Sequence, residues 1–126
     1  MKLLGVDYGL KRIGLAISDG TFAAPLGKIS DLGNAVRIVK EHEIGQIIIG
    51  MPDPHNPKVK SFGDRLSELT GVPVTYHDET FSTREARKSM IASGTSAKTR
   101  QQEIDQNAAA VILQSYIDSQ NSGVPL

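Results

Sequence analysis

Lys2–Asp19, KLLGVDYGLKRIGLAISD, holds two apolar runs separated by a turn. The first, Leu3-Leu4-Gly5-Val6, ends in Asp7, and the second runs Ile13-Gly14-Leu15-Ala16-Ile17. Two such runs bounded by turn residues predict a β-hairpin. Asp7 then stands at the end of a strand buried on both faces, where the chain turns outward. Sheets of α/β proteins bind ligands at the carboxyl ends of their central strands. A carboxylate at that position is a candidate functional group.

The remaining elements follow from periodicity and punctuation. Asp19-Gly20 signals a turn, and Pro25 marks a third strand, over 22–29, as an edge. Asp31 caps a helix over 32–42 with Leu32, Ala35, Val36 and Val39 as its apolar stripe. Gln46–Gly50 is a short continuous apolar run, as expected of a parallel strand covered on both faces. Three prolines make 51–57 a loop, and Asn56-Pro57 suits an N-cap followed by the first helical position. That helix carries Val59, Phe62, Leu66 and Leu69 and stops at Gly71. A strand over 72–77 follows. Capping boxes at Ser82–Glu85 and Thr99–Gln102 open two more helices, the first ending near Gly94 and the second near Ser119. The tail from Asn121 reads as frayed. The order β-β-β-α-β-α-β-α-α, with right-handed crossovers, predicts an α/β fold of the ribonuclease H-like type: a mixed five-stranded sheet flanked by helices, as one domain over 1–126.

Composition limits the function classes. A chain of 126 residues with 39% hydrophobic and 22% charged residues is that of an ordinary globular domain. No apolar run approaches the ~20 residues a membrane span needs, and no signal-peptide pattern follows Lys2. The expectation is a cytoplasmic protein. Absence of cysteine removes disulfides and thiolate metal sites. Net charge is zero, against an indiscriminate nucleic-acid coat, but residues 84–100 carry five basic groups against one acid. A basic segment between more acidic ones fits a phosphate-facing surface beside a metal site; taken alone it is also the pattern of a solvated helix face.

Three acids fall where this topology converges. Asp7 ends the first strand. The strand ending at His77 runs into Asp78-Glu79 and, if parallel to the first, delivers Glu79 to the same sheet edge. In the last helix Asp105 shares a stripe with Ala109, Ile112 and Tyr116. Two unit charges ~4 Å apart repel by about 1 kcal/mol in water and about 4 kcal/mol at an effective dielectric near 20. Gathered acids therefore hold a proton or bind a hard divalent cation. Oxygen ligands without Cys, or a His-x-x-x-His helix, favour Mg²⁺ or Mn²⁺ over Zn²⁺. Paired ions of this kind orient water and steady the leaving oxygen in phosphodiester cleavage. Each acid has a plainer reading: Asp7 capping a turn, Asp78-Glu79 in a charged loop, Asp105 near a helix N-terminus. Singly the plain readings win; jointly, in this topology, the site does.

The blocks GVDYGLKRIGLAISD, APLG, IIIGMP, HDETFSTREA and IDQNAAAVILQSYID closely resemble the YqgF/RuvX family of Holliday junction resolvase-like nucleases, in order and over nearly the whole chain. The resemblance implies a ribonuclease H-like fold and a metal-dependent nuclease processing the 5′ end of precursor 16S ribosomal RNA. It carries the catalytic and metal-binding roles onto Asp7, Glu79 and Asp105. One position departs from the pattern: the family block D-E-R reads Asp78-Glu79-Thr80 here. A Thr hydroxyl cannot grip phosphate with charge as Arg does, and Arg84 is the candidate substitute. Lys11, Arg12 and Arg100 complete the nucleic-acid-binding candidates, with Arg12 equally suited to a salt bridge. His42 and His55 read as structural, and His77, directly before the acids, as a minor candidate. Gly5, Gly9 and Gly14 read as allowing turns and close packing.

The expected partner is nucleic acid (precursor rRNA, or branched DNA), with no membrane and a monomeric or weakly dimeric state. Two alternatives stand beside the rRNA nuclease: a Holliday junction resolvase, which needs two active sites and so a dimer, and a catalytically silent binding module. A phosphotransferase, suggested by G-V-D-Y-G, lacks room for the second lobe that closes over ATP.

Overall fold

The computed structural model describes residues 1–9, 11–51, 56–78 and 97–122, without the side chains of 51, 78, 97–107 and 121–122. Its strands are β1 (Lys2–Tyr8), β2 (Ile13–Ser18), β3 (Ala23–Ile29), β4 (Ile44–Met51) and β5 (Val74–Asp78). The helices among the described residues are α1 (Leu32–Glu41), α2 (Pro57–Thr70) and α3 (Ala97–Ser122). The strands form one sheet in the order β3-β2-β1-β4-β5. β1 pairs antiparallel with β2 and parallel with β4, and β4 pairs parallel with β5. The hairpin, the edge strand holding Pro25 and the parallel central pair all match the sequence reading.

Strand alternation splits the core into two layers. Leu4, Val6, Ile13, Leu15, Ile47 and Ile49 face α1 and α2, where Ala35, Val39, Phe62 and Leu66 meet them. Leu3, Ala16 and Ile48 face the opposite way, against Ala109, Ile112, Leu113 and Ile117 of α3. Ile47, Ile48 and Ile49 are all fully buried, so β4 is covered on both sides, each such side chain contributing about 1.5–3 kcal/mol.

Helix ends follow their capping residues. Asp31 Oδ1 accepts from Asn34 N at 2.8 Å, and Asn56 Oδ1 accepts from Lys58 N at 2.9 Å. Gly71, at φ 73°, closes α2 in the left-handed conformation that glycine adopts at least cost. Several boundaries differ from the sequence reading; β4 runs Ile44–Met51 rather than 46–50 and takes Met51 from the expected loop. β5 starts at Val74 rather than 72, because Pro73 donates no hydrogen bond and contributes only its carbonyl, to Ile47 N at 3.0 Å. α3 starts at Ala97, so Thr99–Gln102 lies inside the helix; Ala97 and Lys98 are strong helix formers and extend it backward. At the other end α3 continues through Asn121 to Ser122. The helix expected from Ser82 to Gly94 lies outside the described residues, as does His55. No helix among the described residues is long and apolar enough to cross a membrane.

α2 lies close on β4 and β5 at Gly63, where an added Cβ would stand 2.8 Å from Ile49 Cδ1 and against the Tyr76 hydroxyl. Lys60 O and Asp64 Oδ1 share the single Tyr76 hydroxyl proton, each 2.9 Å from Oη. Partial burial, then the Asp64 carboxylate, push the phenol up to about 12. The folded state therefore holds this proton more tightly than the unfolded chain. Its contribution to stability is fully present below pH ~10 and is lost as pH rises toward 12. Tyr76→Phe should flatten the alkaline limb of a stability–pH profile between about pH 10 and 12; an unchanged limb would assign the alkaline loss elsewhere.

Candidate nucleic-acid-cleavage site

Asp7 lies at the penultimate position of β1, half-buried, on the face covered by α3. Its neighbours in the sheet are both glycines: Gly14 of β2 and Gly50 of β4. Gly14 in turn pairs with Lys28 of β3, and Gly50 with His77 of β5. One row thus crosses all five strands as Lys28–Gly14–Asp7–Gly50–His77. Directly paired residues present side chains to the same face, so among the described residues neither strand neighbour of Asp7 places a side chain beside its carboxylate. That clearance leaves space for a ligand at its oxygens.

α3 runs over this row and then away from it. Ala109 lies above Gly14, with 3.7 Å between the Ala109 Cβ and a Cβ built on Gly14; Leu113 lies over Gly5. Further along, Gln114 accepts from Ala23 N at 2.8 Å and donates to Thr21 O at 3.2 Å, at the opposite end of the sheet. The helix therefore runs antiparallel to β1. Asp105, one turn before Ala109 in the same helix, belongs to the segment that passes over the Asp7 rim. The approach is close because Gly5 carries no side chain. A Cβ there would sit 2.7 Å from Leu113 Cβ and 2.9 Å from the Ala109 carbonyl oxygen.

Polar contacts fix the height of α3 on the sheet. Gln46 Nε2 donates to Thr75 Oγ1 at 2.9 Å and to Tyr116 Oη at 3.0 Å. His77 Nε2 is 3.1 Å from Ser115 Oγ, and its ring meets Tyr116 edge-on at 5.9 Å. His77, a minor site candidate in the sequence, is thus engaged with α3.

The other expected site residues are distributed as follows. Glu79 follows Asp78, the last residue of β5, and lies outside the described residues, as do Thr80 and Arg84. Asp105 and Arg100 are described only in the backbone, both in α3. Lys11 and Arg12 are exposed in the β1–β2 turn at the Asp7 rim, where Gly9 N donates to Arg12 O at 3.1 Å. An added Cβ at Gly9 would meet that same oxygen at 2.6 Å, so glycine is required there. Among the described residues the only ion pair is Arg37–Glu41, so the salt bridge considered for Arg12 is not seen among them. No group of three His, Cys, Asp or Glu that could hold a metal occurs among the described residues. Within that set Asp7 supplies a carboxylate with open flanks, and hard oxygen donors of this type suit Mg²⁺ or Mn²⁺. Lys28 and Gly50 do not stand out in the sequence, and Gly14 reads there only as a turn or packing glycine. Their signal is the strand register, which composition does not reveal.

A mixed sheet of this order, with an acid ending its central strand and a helix laid across that end, is the ribonuclease H-like fold of resolvases. The Thermus thermophilus RuvC structure superposes with a TM-score of 0.59 at 13% identity, over 98% of this chain and 97% of its own. The fowlpox virus Holliday junction resolvase gives 0.59 at 13% identity, over 94% and 99%. In sequence, a protein from Thermoanaerobacter pseudethanolicus named "Putative pre-16S rRNA nuclease" is 36% identical over 138 aligned positions, covering 97% of this chain and 99% of that protein. A Syntrophus aciditrophicus protein of the same name is 36% identical over 94% of this chain and 89% of its own. Residues 1–119 match the family model "RuvX: Holliday junction resolvase". The chain belongs to the RuvX family.

Proposed function

We propose that this protein is a divalent-metal-dependent nuclease that hydrolyses phosphodiester bonds in the maturation of the 5′ end of precursor 16S ribosomal RNA, in the cytoplasm. The observation that carries the reading is the Asp7 carboxylate, cleared on both flanks by Gly14 and Gly50 at the rim over which α3 passes. Full-length relatives named for pre-16S rRNA support the substrate.

In this reading Asp7, Glu79 and Asp105 would hold Mg²⁺ or Mn²⁺. Such an ion, when bound, lowers the pKa of water and offsets charge developing on phosphate oxygens. The protein supplies the rest. Asp7 is held in register by β2 and β4, which fixes its backbone at the rim. Lys11 and Arg12 at the rim, with Arg84 and Arg100, neutralise flanking phosphates, and Lys28 on the Asp7 row adds a cation on the same face. Because Thr80 stands where the family pattern has Arg, phosphate contact in this chain shifts toward those other cations.

A second reading, cleavage of four-way DNA junctions, is favoured by the resolvase structural neighbours. It requires two active sites acting on opposed strands, whereas the rRNA reading operates as a monomer or weak dimer. A substrate panel of structured RNA, single-stranded RNA and a four-way DNA junction, incubated with Mg²⁺ or Mn²⁺, separates them. Cleavage of the RNAs with the junction intact is the expected result. Junction cleavage alone would install the second reading, and an intact panel would leave only a binding module.

A further inference from the structure

We propose that the cleft between the end of β1 and the first turns of α2 binds a nucleotide of single-stranded nucleic acid close to the bond that is cut; the position of that bond rests on the nuclease reading above. The cleft has a volume of about 350 Å³ and is lined by Tyr8, Pro57, Lys58, Ser61 and Phe62. Pockets that take small ligands begin near 300 Å³, which fits one nucleotide.

Its position follows from strand geometry. Tyr8 is the residue after Asp7, so it presents its side chain to the opposite face of the sheet. The two residues occupy the same rim, one on the α3 side and one on the α2 side. A strand crossing that rim touches both.

The lining matches the ligand part by part. The Tyr8 ring is braced by Phe62, with centroids 5.0 Å apart and planes at 51°, and Phe62 is buried. Tyr8 and Pro57 offer flat apolar surface to a base or sugar, while the exposed Lys58 and Ser61 offer an ammonium and a hydroxyl to phosphate. The Lys58 amide is taken by the Asn56 cap, so side chains rather than the helix terminus provide recognition. No carboxylate lines this cleft among the described residues. A cleft of about 300 Å³ near the opposite end of β1 contrasts with it: there Lys2 shares the lining with Asp19, whose charge cancels the attraction for an anion. An aromatic surface with a cation beside it binds single strands with little regard to sequence. A duplex keeps its base faces stacked and cannot use the Tyr8 ring.

The test is fluorescence anisotropy with a labelled short single-stranded RNA, the same sequence as single-stranded DNA, and a blunt RNA duplex, all in EDTA. Lys58→Ala and Tyr8→Leu should each weaken single-strand binding by about tenfold, with Tyr8→Phe retaining affinity and duplex binding changing by less than about twofold. Lys40→Ala, on α1, serves as the control for general charge, and thermal melts establish that each variant is folded. Single-strand affinity unchanged in Lys58→Ala, or an equal loss for single strand and duplex, overturns the proposal. Weakening for RNA alone assigns the ligand as ribonucleotide; weakening for both strands assigns it as any nucleotide. Since binding is read without metal, a protein that shows this pattern yet cuts nothing keeps the subsite and loses the nuclease reading. Asp7-dependent cutting without the pattern does the reverse.

Discussion

Asp7→Asn should abolish metal-dependent cleavage, lowering the rate roughly a thousandfold or more, while the protein keeps its fold. Asparagine has nearly the same shape, and the flanking Gly14 and Gly50 leave its amide unobstructed. What it lacks is the charge: an amide oxygen is a poor partner for Mg²⁺ where a carboxylate is required. The variant should melt at or slightly above the wild-type temperature, because one member of a set of like charges is gone. Residual cleavage at the wild-type rate would place the chemistry elsewhere or trace it to a contaminant. Loss of both activity and fold would make Asp7 a structural residue.

Gly5→Ala should destabilise the fold strongly. The new Cβ meets the Leu113 Cβ at 2.7 Å and the Ala109 carbonyl oxygen at 2.9 Å. Neither is the free end of a flexible side chain, so α3 itself has to move. Overpacking of this kind costs on the order of 2 kcal/mol or more, lowering the melting temperature by roughly 5–10 °C in a chain of this size. Cleavage should fall as well, since the same displacement carries the Asp105 turn away from the Asp7 rim. Gly14→Ala is the matched control. Its Cβ would meet Asp7 Cβ at 3.6 Å and Ala109 Cβ at 3.7 Å, which is ordinary contact, so stability changes little while a methyl group crowds the carboxylate. A Gly5→Ala protein as stable as wild type would mean that α3 does not pack this tightly.

These glycines mark the limit of what the sequence conveys. Asp7 is legible because an apolar run ends in an acid at a turn. The ends of α2 are legible because Asn56-Pro57 and Gly71 each satisfy a local backbone requirement. The face of α3 is legible because Ala109, Ile112 and Tyr116 recur at helical spacing; the first two are buried and Tyr116 packs against their cluster. Contacts that depend on which element covers which face are not legible in this way. Nothing local to Gly5 says that a helix from residues 97–122 rests on it. Nothing local to Lys28 says that hairpin and crossover registers align it with Asp7 and His77. Likewise the capping box at Thr99 is a sound local signal that is overridden by helix formers just before it. Local rules fixed the elements, while register and packing fixed which residues share the rim.

In the proposed nuclease, Asp7 and the Asp105 turn of α3 act together on one divalent ion. Electron paramagnetic resonance of free Mn²⁺ during titration with protein reads this directly, without substrate. Wild type should deplete the free-ion signal, and Asp7→Asn and Asp105→Asn should each weaken that uptake by about tenfold or more. Undiminished Mn²⁺ binding by both folded variants would rule out a shared ion at these two acids.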